Sequence, residues 1–306
     1  MAYFQLCNIF AKKISRMRIV GLGNALTDVL ARLHSDECFD EMGLLKGGMQ
    51  LIDEEKLLRI MSVFEGLETT LASGGSAANA VSGVARMGIE SGFIGKIGRD
   101  AYGRFFREDM ERNGVQTLLI EGEQASGCAM TMITPDGERT FGTFLGAAAT
   151  LCAEELSAEM FEGYDILHIE GYLVQDTSLI LRAVQLAKEA GLSVSFDMAS
   201  YNVVKDNYAI IRDLVENYVD ILFANEEEAL AYTGEEPRKA TEILSRYCRI
   251  AVVKCGAQGS FVGREGIITE VPATPEVRVD STGAGDLYAS GFLYGLSQNC
   301  SLGVCG

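Results

Sequence analysis

The stretch Asp280-Ser281-Thr282-Gly283-Ala284-Gly285-Asp286 runs straight into an apolar segment with helical spacing. Two glycines two positions apart let the backbone turn tightly and leave its amides bare. A helix start then aims those amides and its positive dipole end at one spot, which holds an anion without any lysine. Asp286 falls in the first helical turn beside that spot. A carboxylate there repels a phosphate but can accept a proton from an attacking hydroxyl. An acidic residue that merely favours a helix start fits the same position, so the motif alone leaves both readings open. Gly74-Gly75-Ser76-Ala77-Ala78-Asn79 is a second glycine loop before a helix, and a close strand–helix approach explains it equally well. Gly21-Leu22-Gly23-Asn24-Ala25-Leu26 lacks the third glycine of a dinucleotide fingerprint, and Asp28 comes too early for its ribose carboxylate. There is no Gly-Lys-Ser/Thr phosphate loop, no His-Glu-x-x-His and no Gly-x-Ser-x-Gly.

These motifs must be positioned by elements that alternate along most of the chain. Short apolar runs at 18–23, 91–97, 166–169, 193–196, 221–224, 250–253 and 259–262 read as strands. Helical spacing covers 76–87, 102–113, 177–190, 208–218, 226–232, 238–247 and 286–296, with glycine closing several of these segments. Strands alternating with helices predict an α/β fold, its mainly parallel sheet covered on both faces. Strand-like segments at 28–33, 49–52, 115–121, 127–134 and 139–145, with a turn at Pro135-Asp136-Gly137, interrupt this rhythm. They predict a small β-sheet lid, inserted at about 28–52 and 115–147, on a domain spanning 17–306. Residues 1–16 read as an extension, since Met17 stands directly before the first strand.

The 306 residues include 26 basic and 43 acidic side chains, a formal charge of −17. Duplex affinity comes mostly from Lys and Arg on phosphates, so nucleic acid is not the expected partner, nor is an anionic membrane surface. With 48% hydrophobic residues and four prolines the chain can bury a sizeable core. Eight scattered cysteines and two histidines argue for free thiols in a reducing cytoplasm, not for disulfides or a zinc site. The apolar stretch 3–11 precedes Lys12 and Lys13, the reverse of a secretory signal. The uncharged run 287–306 carries serines, Gln298, Asn299 and four glycines, as a buried helix does and a membrane span does not.

Taken in order, the motifs resemble the ribokinase (PfkB) family of carbohydrate and nucleoside kinases, from about Arg18 to the end of the chain. The helix-opening Asp-x-Thr-Gly-Ala-Gly-Asp is similar to the family's C-terminal signature, and Gly74, Gly75 and Asn79 to its N-terminal one. Asn225 and Glu228 resemble its Asn-x-x-Glu motif, and Lys254-Cys255-Gly256-Ala257-Gln258-Gly259 its nucleotide-side turn. The resemblance implies a three-layer α/β/α core with a β lid and an ATP-dependent phosphotransferase acting on a primary hydroxyl. It implies Asp286 as general base and the amides of Gly283, Ala284 and Gly285 as an anion hole. It further implies Mg²⁺ organised by Asn225 and Glu228, and Lys254, Gly256 and Gly259 along the ATP. Glu226-Glu227-Glu228 also reads as an ordinary solvated charge run, and the glycine turn as a plain hairpin.

On the acceptor side the resemblance implies Asn24, Asp28, Gly74, Gly75 and Asn79 as the sugar pocket, and Met49, Phe141 and Phe144 as its apolar wall or as plain packing. Arg139 would reach the phosphate from the lid or stand in solvent, and Glu170, at a strand's C-terminal end, resembles a substrate-contacting position. Asn24-Ala25-Leu26-Thr27-Asp28 and the stretch 139–149 look most like the adenosine-kinase branch, which favours a ribonucleoside. A ribokinase- or fructokinase-like sugar kinase is the alternative. A non-catalytic sugar or nucleotide sensor is the alternative of another class, and an intact Asp286 speaks against it. A monomer, or a homodimer through the lid, is expected by analogy. Family members are expected to carry further helical structure beyond the point where Cys305-Gly306 ends this sequence.

Overall fold

The computed structural model describes residues 17–274 and 283–306. The expected extension at 1–16, and Asp280, Ser281 and Thr282 of the glycine motif, lie outside the described residues. The described strands are β1 (Ile19–Leu22), β2 (Leu26–Arg32), β3 (Met49–Leu51), β4 (Thr69–Gly74), β5 (Ser91–Gly98), β6 (Val115–Gly122) and β7 (Gly127–Ile133). They continue with β8 (Arg139–Phe144), β9 (Ile166–Glu170), β10 (Ser193–Asp197), β11 (Ile221–Asn225), β12 (Ile250–Lys254), β13 (Ser260–Arg264) and β14 (Ile267–Val271).

Nine strands form one sheet in the order β14-β13-β12-β11-β10-β9-β1-β5-β6. From β12 to β6 all neighbours are parallel, and β13 and β14 add an antiparallel hairpin. Period-2 alternation sends the apolar side chains to both faces. Leu222 and Ala224 of β11 pack with Leu167, Ile169, Val194 and Phe196 against the helices Thr177–Glu189 and Tyr208–Asn217. Ile221 and Phe223 pack with Ile19, Ile166 and Val252 against Ser76–Arg86 and Ala284–Ser297. The result is the three-layer α/β/α core expected from the alternating pattern.

A second sheet, in the order β3-β8-β7-β2-β4, has its own core, in which Val29, Met130 and Met132 meet Leu57, Ile60 and Phe64 of the helix Glu54–Phe64. Its membership differs from expectation. The strand-like segment 115–121 was expected in this sheet, but β6 pairs in parallel with β5 at the edge of the large one. The physical reason is the helix Ala101–Arg112 between them, the crossover that joins parallel neighbours. In its place β4 pairs antiparallel with β2. The exposed, polar start of Thr69–Gly74 hides this strand from a hydrophobicity pattern.

Four central strands end in polar residues at the same edge of the large sheet: Glu170 on β9, Asp197 on β10, Asn225 on β11 and Lys254 on β12. In register, Asp197 lies opposite Glu170 and Asn225 opposite Lys254. Among the described residues no helix is long and apolar enough to cross a membrane.

Candidate active site

The two glycine motifs meet face to face at the carboxyl edge of the large sheet. Gly283 takes a left-handed φ of 70° and opens the Ala284–Ser297 helix, which puts Asp286 in its first turn. The Ser76–Arg86 helix starts beside it. Ser76 Oγ donates to Asp286 Oδ1 at 2.7 Å, and Asn79 Nδ2 donates to Asp286 Oδ2 at 2.9 Å. Burial pushes the Asp286 carboxyl above its usual range, and Asp197 adds to this. The two donors and the nearby Lys254 pull the other way without cancelling the shift.

Gly75 is required where it stands. Its φ is 101°, and a Cβ there would lie 2.2 Å from the carbonyl oxygen of Asn24. A Cβ at Gly74 would strike the Asp28 carboxyl, 2.5 Å away. These glycines thus let Asn24 and Asp28 lie close to the start of the Ser76–Arg86 helix, whose Ser76 and Asn79 bond Asp286. Burial, reinforced by Asp286, pushes Asp28 up to about 6. Glu170 is fully buried and serves as a brace. Its Oε1 accepts from Asn24 N at 2.9 Å and Asn24 Nδ2 at 2.6 Å, and its Oε2 from Ala77 N at 3.0 Å. Burial raises Glu170 to about 7 in spite of these donors.

Two cavities open on this centre and share Met49, Gly75, Ser76 and Tyr172. The first, about 610 Å³, runs past Asn24 and Glu170 between apolar residues (Leu26, Leu51, Leu145, Leu151, Leu173 and Val203) to Gln175, Asp176, Asn202 and Asp206. Its described lining contains no Lys or Arg. The second, about 620 Å³, brings together Asp28, Phe141, Asn225, Glu228, Lys254, Gly256, Gly285 and Asp286. Lys254 Nζ donates to Asp197 Oδ2 at 2.7 Å.

Not every expected residue converges. Arg139 lines a third cavity, of about 330 Å³, with Asp28, Asn79, Phe141, Gly283 and Leu287. Ala284 is exposed at the helix start, and Gly259 shapes the turn after β12, where a Cβ would lie 2.0 Å from Val271 O. Asn225 and Glu228 form a reciprocal cap. Asn225 N and Nδ2 each donate to a Glu228 oxygen at 2.7 Å, and Glu228 N returns a bond to Asn225 Oδ1 at 2.8 Å. Burial holds the Glu228 carboxyl above its usual range. Among the described residues no cluster of three or more His, Cys, Asp or Glu could cage a metal ion.

Asp197 and Tyr172 were missed from the sequence. Tyr172 has no motif of its own, but Asp197 closes its strand as Glu170 does, and the strand-end rule applied to Glu170 finds it.

Residues 42–305 match the profile of the pfkB family carbohydrate kinase. An uncharacterized sugar kinase of Archaeoglobus fulgidus is 30% identical over 227 residues, covering 73% of this chain and 90% of the relative. A fructokinase of Klebsiella pneumoniae is 30% identical over 242 residues, covering 74% and 77%. The crystal structure of adenosine kinase from Sinorhizobium meliloti superposes with a TM-score of 0.82 at 33% identity, covering 95% of this chain and 90% of that one.

Proposed function

The chain belongs to the pfkB family of carbohydrate kinases, and from that premise we propose that it moves the γ-phosphoryl group of ATP to a primary hydroxyl of an uncharged sugar or nucleoside. One observation carries this reading: Asp286 is fixed by Ser76 and Asn79 at the helix start, where the two cavities meet. The acceptor would occupy the first cavity beside Asn24, with its CH₂OH reaching past Gly75 and Ser76 toward Asp28 and Asp286 in the second. Asn24 Nδ2 is held by Glu170, which leaves Oδ1 to accept from a sugar hydroxyl. Asp286 accepts the hydroxyl proton as the oxygen attacks phosphorus. The amides of Gly283, Ala284 and Gly285 face the charge that builds on the transferring group.

The phosphates would lie in the second cavity, along Lys254 and Gly256. The donor set there suits magnesium held at one remove. Asn225 and Glu228 are locked to each other, and among the described residues no cluster of three or more His, Cys, Asp or Glu could hold the ion directly, so they would bind the waters of an ion that sits mainly on phosphate oxygens. Bound there, magnesium would neutralise phosphate charge. The small sheet, which contributes Leu26, Met49, Leu51 and Thr143 to the acceptor wall, would act as the lid. Arg139 would join the phosphate only if that sheet moved toward the helix start.

The absence of Lys and Arg from the described acceptor wall, and the presence of Glu170, Asp176 and Asp206, support an acceptor without carboxylate or phosphate. Its apolar stretch supports a ring or aglycone beyond a bare monosaccharide, since about 610 Å³ lies within the roughly 300–1,000 Å³ that drug-sized ligands fill. The test is ATP consumption coupled to a reporter, with adenosine, ribose and fructose as acceptors and the phosphorylated product identified by mass. Failure to turn over any acceptor would reject the phosphotransfer reading and leave the sensor.

A further inference from the structure

The second cavity is lined by six carboxylates, Asp28, Asp197, Glu226, Glu227, Glu228 and Asp286, and Lys254 is the one basic residue in its described lining. The Lys254 ammonium touches two features at once. It donates to Asp197 Oδ2 at 2.7 Å, from a strand end two places away in the sheet. It also lies against the helix start, because a Cβ on Gly285 would sit 3.2 Å from Nζ. Burial alone would lower the ammonium's affinity for its proton, but Asp197, Glu228 and Asp286 outweigh burial and keep it charged.

Asp197 is itself held rigidly. Its Oδ1 accepts from Ala199 N at 3.1 Å, and Ala199 is a non-glycine residue at φ 67°. A left-handed alanine is strained, and strain of this kind gathers at functional sites. The alternative is a purely structural ion pair. Buried pairs are poor stabilisers, however, because apolar residues of similar volume often do as well or better. A lysine on a four-carbon stem also has other carboxylates within reach here. If it paired with Asp286, it would hold the base in its ionised form and block its access to a hydroxyl proton.

We propose that Asp197 is a positioning residue that holds the Lys254 ammonium against Gly285, so that Lys254 meets an oxygen of the transferring phosphoryl group and stays off Asp286. The proposal rests on the phosphotransfer reading. In that step the acceptor oxygen forms a bond to the γ-phosphorus and the bond from that phosphorus to the β–γ bridging oxygen breaks. ADP leaves with the electron pair, the hydroxyl proton passes to Asp286, and Lys254 keeps its protons throughout. Asp197 touches no reacting atom. It fixes where the one cation in the cavity's described lining stands.

Four variants test this with ATP and whichever of adenosine, ribose or fructose the wild type phosphorylates. Lys254→Met should lower kcat about 100-fold, the scale of one lost transition-state donor, with the acceptor KM changed less than about threefold. Asp197→Asn should lower kcat between about 10- and 100-fold, as misplacement of a catalytic group does. Because Asp197→Asn leaves a buried lysine without its partner, Asp197→Leu/Lys254→Met supplies the decisive arm. This pair should fold with a melting temperature at or above that of the wild type, yet turn over no faster than Lys254→Met alone. A merely structural ion pair predicts near wild-type kcat for the apolar pair, and that result would overturn the proposal. Losses that multiply in Asp197→Asn/Lys254→Met would also overturn it, since Asp197 would then act other than through Lys254. A wild type inactive with every acceptor would instead strike the phosphotransfer reading itself.

Discussion

Ser76 Oγ donates to Asp286 Oδ1 at 2.7 Å, although 210 positions separate the two residues in the chain. The bond joins the first turns of two helices, and Asn79 repeats it on the other carboxylate oxygen. The carboxyl group can therefore rotate little about its own axis, which is what a base needs in order to meet a hydroxyl from one side.

Replacing Asp286 with Asn should cost turnover by at least about 1,000-fold while leaving acceptor binding nearly unchanged, in line with the loss of a positioned general base. Steady-state kcat, together with acceptor titration by calorimetry, checks both halves. Retained turnover would remove Asp286 from the role of base.

The rate should fall on the acid side as Asp286 takes up its proton. Burial places that limb of kcat/KM above the range of an ordinary aspartate. Ser76 stabilises the ionised form, so Ser76→Ala should raise the Asp286 pKa further and move the limb to higher pH. Asp28, Asp197 and Lys254 also face the group and are unaltered by this substitution. A pH–rate profile of the two proteins measures the displacement, and a limb that stays put or moves to lower pH contradicts it.

Glu170 ties stability to pH in the opposite sense from a salt-bridged carboxylate. Its folded pKa, about 7, lies above the ordinary value of 4.5. The protonated form is thus favoured by folding, and its contribution is complete below about 4.5 and lost as pH rises through about 7. Glu170→Gln cannot match both Asn24 and Ala77, so it should be less stable than the wild type at pH 5. Between pH 5 and 8, however, its melting temperature should change less than that of the wild type. An identical pH slope in the two proteins would show that Glu170 does not titrate in this window.

Acceptors bearing a carboxylate or phosphate should be phosphorylated with kcat/KM at least about 100-fold below a neutral analogue, because like charges set close together cost several kcal/mol. Asp206→Asn should recover part of the difference. Paired assays with a neutral furanoside and its carboxylated analogue provide the comparison, and equal rates would refute the charge argument.

The helix carrying Asp286 and the alternation that builds the large sheet could be read from local pattern, because glycine before an apolar helix and buried strands between helices are signals within one segment. Glu170, Asn225 and Lys254 were also named from the sequence, but their assembly with Asp197 into one ring could not be read there. Each residue ends a different strand, and only the sheet order makes neighbours of Asp197 and a lysine 57 positions away. The motif holding Asn225 and Glu228 was legible, whereas their mutual cap needed coordinates. The strand β4 was hidden for another reason: its register comes from pairing with β2, and its first residues are polar and exposed.

The Ser76–Arg86 and Ala284–Ser297 helices are joined at a second level, where Ser290 Oγ donates to Ala80 O at 2.8 Å beside Gly83, a position at which a Cβ would lie 2.3 Å from that hydroxyl. Asp286 and its donors Ser76 and Asn79 therefore form one rigid cassette beside the large sheet, and the small sheet supplies only part of the first cavity's wall. The enzyme is accordingly divisible for engineering: grafting the small sheet of another kinase of this fold should exchange the choice of acceptor while the phosphoryl-transfer machinery stays in place.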